Sequence, residues 1–443
     1  MSVRKPVVLG IDLGTSSMKC VAARVADGAI LERTTRDYLW TVGSPVTDAD
    51  YFDVLHDLIG DVQERFEIRA VAVSTQMYSL ITSSGNVLGW NAAWASDPDR
   101  LRQIHRELPG TGAQPDPIFP VFKLADTASL LPYGLKAAVM KHLCGRLVVD
   151  PAEASATGLY DVQRMRWIDP LPVERIGHED LPEVLPHDQV AGAVRTDLGF
   201  RDSFLVAPGL GDGVSASWRG SSTALTAANL GTSVAVRSIQ SMPARSDLPY
   251  EETKNSREWV FRLDSERVVR GGISRAGFGV IERFRKAGYP LEAPESYADT
   301  GTSPLFLPWL EGIQWPVWDS RRHSELLRFK PEHGFREIAD AVWLSIVYMV
   351  AWMIEHIATE GKCLVAGGGV MEKGFLEALS RCVTRTLLIP EKAEFFAAEG
   401  AALSAAASLG HEMPTCTHIS RALHPSNERD AGFNEWMMIA SRS

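Results

Sequence analysis

Two periods of apolar residues alternate along this chain. Short β-branched runs bounded by glycine or aspartate lie at 6–11 (PVVLGI) and 18–25 (MKCVAARV), and they predict two antiparallel strands joined by a turn at Gly14–Ser17. DADYFDVLHDLIGDVQERF then sets Phe52, Leu55, Leu58, Ile59, Val62 and Phe66 on one helical face, with Asp48 as N-cap, and EIRAVAVST (67–75) returns to a strand. Residues 108–200 are proline-rich and mixed in pattern, and read as an inserted, loop-rich section. From about 205 the alternation restarts. FLVAPGLGDG predicts strand then loop, and LTAANLGTSVAVRSI predicts strand, turn, strand. A long apolar helix follows, FREIADAVWLSIVYMVAWMIEHIATE. KCLVAGGGV reads as a buried strand running into glycines, KGFLEALSRCVT as a helix, RTLLIP as a strand and FAAEGAALSAAASLG as a small-residue helix. The second half repeats the logic of the first at long period, which predicts an α/β layer fold.

Bulk properties narrow this picture only slightly. The 443 residues suggest two or three domains, and 45% hydrophobic with 23% charged content allows a large core. A formal net charge of −10 argues against a nucleic-acid surface. Cys20, Cys144, Cys363, Cys382 and Cys416 are scattered, with no Cys-x-x-Cys pair, and read as thiols in a reducing compartment. The longest apolar run, Ala341 to Ile354, falls short of the ~20 residues a membrane span needs. The N-terminal apolar run is too short for a signal peptide and is interrupted by Asp12. A cytoplasmic protein without nucleic-acid or membrane partners is the expectation.

The echoed Leu-Gly-Thr-Ser turn carries the candidate chemistry. A tight turn of glycine and hydroxyl residues exposes backbone N–H groups that suit phosphate oxygens. Asp12, at the strand end, could hold a magnesium ion or its waters beside a phosphate. Taken singly, either turn is also an ordinary hairpin loop. The second copy and the cluster Gly367–Gly368–Gly369 favour a nucleotide. No Gly-x-x-x-x-Gly-Lys-[Ser/Thr] run or dinucleotide fingerprint occurs. Asp212 follows a strand between Gly211 and Gly213, which leaves its carboxylate exposed in a cleft as a candidate base.

The ordered set GIDLGTSSMKCVAARVADG, GLGDGVSASWRG, ANLGTSVAVR and LVAGGGVMEKGFLEALSRCV resembles the FGGY carbohydrate kinases of the actin/Hsp70-like ATPase superfamily, over nearly the whole chain. STQMYSLITSSGNVLGWNAAW resembles the family's sugar-facing stretch, with Tyr78 where a histidine is usual. VVDPAEASATGLYDVQRMRW and LEGIQWPVWD resemble the gluconate kinase branch. The resemblance implies two ribonuclease-H-like (actin-like ATPase) domains flanking a central cleft, residues 1–240 on the substrate side and 241–443 on the nucleotide side. It implies ATP and Mg²⁺ as cofactors, Asp212 as general base and Asp12 on the metal. Gly14, Thr15, Ser16, Ser17, Gly231 and Thr232 would meet the phosphates, and Gly368 and Gly369 the adenine. Gln76, Met77, Tyr78, Trp94 and Asp97 would line the site of a sugar, sugar acid or polyol, gluconate being the first guess. A homodimer is left open.

Three departures bear on the acceptor. Ser96 stands where the family places an aspartate, with Asp97, Asp99 and Arg100 displaced. Ile313 and Gln314 replace a Glu-Arg pair, and Ser274 and Arg275 replace Asn-Asn. These motivate an alternative, a catalytically altered relative that binds nucleotide or sugar as a sensor or scaffold. An Hsp70-like chaperone is disfavoured, because no separate peptide-binding domain fits this length.

Overall fold

The computed structural model describes residues 4–38, 45–92, 94–108, 110–244, 257–294, 303–414, 417–428 and 430–442. The first hairpin forms as expected: β1 (Lys5–Leu13) pairs antiparallel with β2 (Ser17–Arg24), placing Asp12 opposite Lys19. An unforeseen third strand, β3 (Ile30–Asp37), pairs with β2 at the sheet edge. Its sequence, ILERTTRD, has too few apolar residues to announce a strand, because this edge needs little burial.

Helix α1 (Asp48–Arg65) leads to β4 (Phe66–Thr75), parallel to β1, and β5 (Leu205–Ala207) lies parallel to β4. The cap of α1 is Thr47, one residue before the expected Asp48. Thr47 Oγ1 accepts the Asp50 N–H at 3.3 Å, and the Asp50 carboxylate accepts the Thr47 N–H at 2.7 Å. Phe66, assigned by spacing to the helical face, instead opens β4.

The long connection from β4 to β5 contains the section read as loop-rich. Among its described residues that section, 108–200, holds three α-helices, Pro120–Asp126, Leu135–Cys144 and Pro151–Ala156, and the helix Pro98–Arg106 precedes it. Pro120 and Pro151 each stand in the first turn, where proline's fixed φ suits a helix start and its missing N–H costs nothing. The prolines that looked like loop signals are helix-start signals.

After α2 (Asp212–Gly220) the pattern repeats. β6 (Thr226–Leu230) and β7 (Val234–Ser241) form an antiparallel hairpin, and β8 (Arg267–Ser274) pairs antiparallel with β7. Helix α3 (Phe335–Ile357) leads to β9 (Lys362–Ala366), parallel to β6. Then α4 (Phe375–Cys382) leads to β10 (Thr386–Pro390), parallel to β9, and α5 (Phe396–Ala407) follows. The described sheets have six and seven strands, and they share a five-strand core with the orders β3-β2-β1-β4-β5 and β8-β7-β6-β9-β10, one topology used twice. Gly192–Ala193 adds an edge to the first, and Trp259–Arg262 and Ile419–Leu423 add the edges of the second. These are the two ribonuclease-H-like domains. The β6–β7 hairpin belongs to the second sheet, so by strand membership the halves divide between Ala207 and Thr226, upstream of position 240. α3 is buried along most of its length, as its apolar run implied. Cys20, Cys144, Cys363 and Cys382 are thiols; Cys416 lies outside the described residues.

Each half lends a helix to the other. One face of the first sheet packs Val7, Leu9 and Ile11 against Tyr51, Leu55 and Ile59 of α1. The opposite face packs Val8, Ala70, Ala72 and Ala207 against Ala405 and Ala406 of α5, with Val21 against Ala398 and Ala402. The approach is close: a Cβ on Gly10 would overlap the Ala398 carbonyl and lie 2.8 Å from Ala402 Cα. Reciprocally, α2 lies on the second sheet, with Gly220 against Leu364 and Gly213 against Arg237. The exchanged helices touch where Ser215 Oγ donates to the Ala397 carbonyl at 2.8 Å. Arg33 of β3 and Arg219 of α2 both bind the buried Glu399 of α5, each at 2.7 Å.

Candidate active site

The first turn closes when the Gly14 N–H donates to the Ser17 carbonyl at 3.1 Å, which leaves Thr15 and Ser16 exposed. Asp12 lies inside β1, between Lys19 on β2 and Ser74 on β4, and is 7% exposed. Its Oδ1 has no hydrogen-bond partner among the described residues. Burial pushes the carboxyl up to about 7, and the charge of Asp212 adds to the shift against Lys19, Ser74 and Lys136. A buried, under-coordinated carboxylate in the field of a second one fits a divalent cation. Among the described residues no three His, Cys, Asp or Glu side chains could hold a metal unaided. That fits magnesium, which typically takes one or two carboxylates and completes its shell with phosphate and water.

Asp212 opens α2, with Gly211 as the extended N-cap. It is half-buried rather than open, and its carboxylate accepts the Gly213 N–H at 2.7 Å and the Met77 N–H. Burial raises its pKa, opposed first by Arg237. Arg237 projects from β7 against Gly213 and over the Trp259 ring, 5.8 Å from its centroid, and its Nε is buried with no hydrogen-bond partner among the described residues. Asp212 therefore meets Asp12 from the first sheet and Arg237 from the second. Beneath it, the buried Lys136 donates to the Val73 carbonyl at 2.5 Å and to the Pro208 carbonyl at 2.7 Å, tying the end of β4 to the segment after β5. Glu153 is also buried, and its Oε2 faces Gly211 without a bond.

The second turn is one residue shorter than the first: the Gly231 N–H donates to the Ser233 carbonyl, two residues on, at 3.0 Å, whereas Gly14 reaches Ser17, three residues on. Its own carbonyls are held by the Phe278 N–H on Gly231 and the Gly279 N–H on Thr232, both at 3.0 Å. The glycine cluster lies alongside. Gly367 has φ +99° and no room for a side chain against Leu230; Gly369 is packed on Phe278; Gly368 has nothing within 4 Å of a would-be Cβ. Gly231, Thr232, Gly368 and Gly369 thus meet around the ends of β6 and β9, with bare backbone toward open space.

The remaining candidates divide. Met77 packs on Gly211 and bonds Asp212. Tyr78 is buried at φ +63°, edge-on to Phe119 and Phe261, and within the fields of Arg237, Asp212 and Asp116. Gln76 turns toward α1, donating to the Tyr51 hydroxyl at 3.0 Å, with Oε1 unpaired. Trp94 Nε1 donates to Asp126 at 3.0 Å, and Asp97 caps the helix Pro98–Arg106. The last two are engaged away from Asp212. Sequence reasoning passed over Arg237, Lys136, Glu153 and Asp116. The signal for Arg237 was a lone cation inside an otherwise apolar strand.

A carboxylate from each side of the junction and paired glycine turns are thus brought together on a doubled ribonuclease-H-like fold. No family model matches the chain. It is 26% identical over a 454-residue alignment to xylulose kinase of Streptomyces rubiginosus, covering 92% of this chain and 89% of that one. It is 21% identical to gluconokinase of Bacillus subtilis, covering 87% and 85%. Its fold superposes on a ligand-bound xylulose kinase from Lactobacillus acidophilus with TM-score 0.81 at 20% identity, covering 99% and 97%. On the glycerol kinase of Plasmodium falciparum with ADP the values are 0.76 and 15%, covering 99% and 98%. The relatives it matches are FGGY carbohydrate kinases, which it resembles in sequence and in fold.

Proposed function

We propose that the protein transfers the γ-phosphoryl group of ATP to a hydroxyl of a sugar, sugar acid or polyol, with Asp212 as general base. The observation that carries this reading is the placement of Asp212: half-buried at the start of α2, faced by Asp12 from one sheet and Arg237 from the other. Its raised pKa brings the carboxylate nearer to the strength a base needs at neutral pH. Asp212 takes the acceptor hydroxyl's proton. The hydroxyl oxygen bonds to the γ-phosphorus as the bond to the β–γ bridging oxygen breaks, and ADP leaves with that electron pair. Thr15, Ser16 and Ser17 on one side, and Thr232 on the other, donate to the phosphates, and Gly14 and Gly231, whose N–H groups close their turns, let the phosphates approach the backbone. Gly368 and Gly369 give adenine or ribose a flat approach. Asp12 would hold magnesium, which when bound neutralises charge on the polyphosphate. Met77 and Tyr78 form the acceptor wall next to the base, whereas Gln76, bonded to Tyr51, and Trp94 and Asp97, engaged away from Asp212, stand outside that wall.

The test is Asp212→Asn. ADP release with an active acceptor should fall about 1,000-fold, while ATP binding, read by calorimetry, stays within about threefold. Transfer within tenfold of wild type would remove Asp212 from the role. If wild-type protein releases no ADP with any member of a panel of sugars, sugar acids and polyols, yet binds nucleotide, the sensor reading takes over.

A further inference from the structure

A second polar cluster, around Asp116, acts on Tyr78 as Asp212 does, and its charges do not balance. Lys123, on the helix Pro120–Asp126, is 1% exposed, and its Nζ has no hydrogen-bond partner among the described residues. The charges that act on it are Asp116 and Arg275. Asp116 is buried and already engaged: Oδ1 accepts from the Ile118 N–H at 2.9 Å and from Arg275 at 3.4 Å, and Oδ2 faces Gln314 Nε2 at 3.4 Å. Arg275 also faces Glu311 at 3.5 Å, and Glu311 pairs with Arg283. Three cations thus stand against two carboxylates, and the uncompensated one is the buried Lys123. Gln314 Oε1 is likewise buried and unpaired.

The cluster straddles the junction, as Asp212 and Arg237 do. Asp116 and Lys123 come from the β4–β5 connection of the first half, Arg275, Glu311 and Gln314 from the second. Phe119, three residues after Asp116 and four before Lys123, packs edge-on against Tyr78 at 5.5 Å. The Tyr78 hydroxyl lies within the fields of both Asp116 and Asp212, so one side chain borders the base and the cluster. An ammonium buried without a partner costs free energy, which an incoming anion would recover.

We propose that Lys123, with Arg275 and Gln314, forms a subsite for the carboxylate of the acceptor, which makes the acceptor a sugar acid. This rests on the reading of Asp212 as the base. The carboxylate takes a hydrogen bond from Lys123 Nζ and shares the field of Arg275, and Gln314 Oε1 accepts from an acceptor hydroxyl. Asp116 holds Arg275 and Gln314 in place, which gives Ile313–Gln314 and Ser274–Arg275, two of the three departures from the family pattern, a joint purpose.

The experiment compares a panel of aldonates and uronates with their matched alditols, using the full-length chain and ADP release. Wild type should prefer an acid over its alditol by at least about tenfold in kcat/KM. Lys123→Met should lower that acid-to-alditol ratio about 10- to 100-fold, mainly through KM for the acid, as expected for a lost charge-assisted hydrogen bond. Lys123→Arg should restore part of it. Wild type that prefers neutral acceptors, or a Lys123→Met ratio equal to wild type, overturns the subsite while leaving Asp212 untouched. If nothing is turned over, the Asp212 reading has failed, and the subsite is judged by calorimetry with the same acids. Equal affinity in wild type and Lys123→Met, or no binding in either, overturns it.

Discussion

At the scale of single residues, the site is built from groups that the fold keeps in unfavourable surroundings. Lys123 states the cost in measurable form. Burial pulls its pKa from 10.5 down to about 8, with Arg275 adding to the shift and Asp116 opposing it. The unfolded chain therefore binds more protons than the folded one between those values, and stability rises with pH across that window. Below about pH 8 the lysine is charged in both states and the penalty is fully present. Lys123→Met should be more stable than wild type at pH 7 by roughly 3 kcal/mol, and the gap should close between pH 8 and 10.5, as measured by urea unfolding at each pH. A variant that is less stable at pH 7 would mean that the lysine is internally compensated. The same scale divides what the sequence disclosed from what it hid. Asp12 was legible because a charge interrupts an apolar run just before a glycine turn, and Asp212 because it stands between Gly211 and Gly213. Lys123 and Arg237 were not, since a lone cation in IFPVFKLA or SVAVRSI shows its neighbours only once the halves are together.

Elements with a strong period were the most readable. β1, β2, β4, α1, α3 and the run from β9 to α5 all follow from spacing, because each buries one well-defined face. β3 escaped because an edge strand with charged side chains lacks that face, and the helices of the β4–β5 connection escaped because their first-turn prolines resemble loop signals. The small residues of FAAEGAALSAAASLG were legible as a helix but not in their purpose, which is to let α5 lie directly on β1. Gly10 is the other half of that contact, with helix backbone where its side chain would be. Backbone cannot yield as a flexible side chain can. Gly10→Val should therefore cost about 3 kcal/mol or more, read as a lowered thermal midpoint, and should also weaken transfer because β1 carries Asp12. A variant with an unchanged midpoint would mean that α5 can lift off the sheet freely.

For the whole molecule, the duplicated topology explains why one chain carries two Leu-Gly-Thr-Ser turns: each half brings its own hairpin to the shared junction. The repeat was visible in the sequence as two similar segments. The reciprocal loan of helices was not, since no local pattern says which sheet a helix will cover. That loan has a consequence for how the chain is born. All six described strands of the first ribonuclease-H-like sheet are synthesised by Ala207, yet one face stays bare until residues 396–407 arrive. Translation must thus carry an uncovered apolar layer through nearly half the protein's length, a condition that invites sticking to other nascent chains. A polypeptide stalled at residue 225 should be rapidly digested by protease and bound by chaperones, whereas one released after residue 443 should resist digestion. If the stalled chain is already resistant, the first half folds without its borrowed helix.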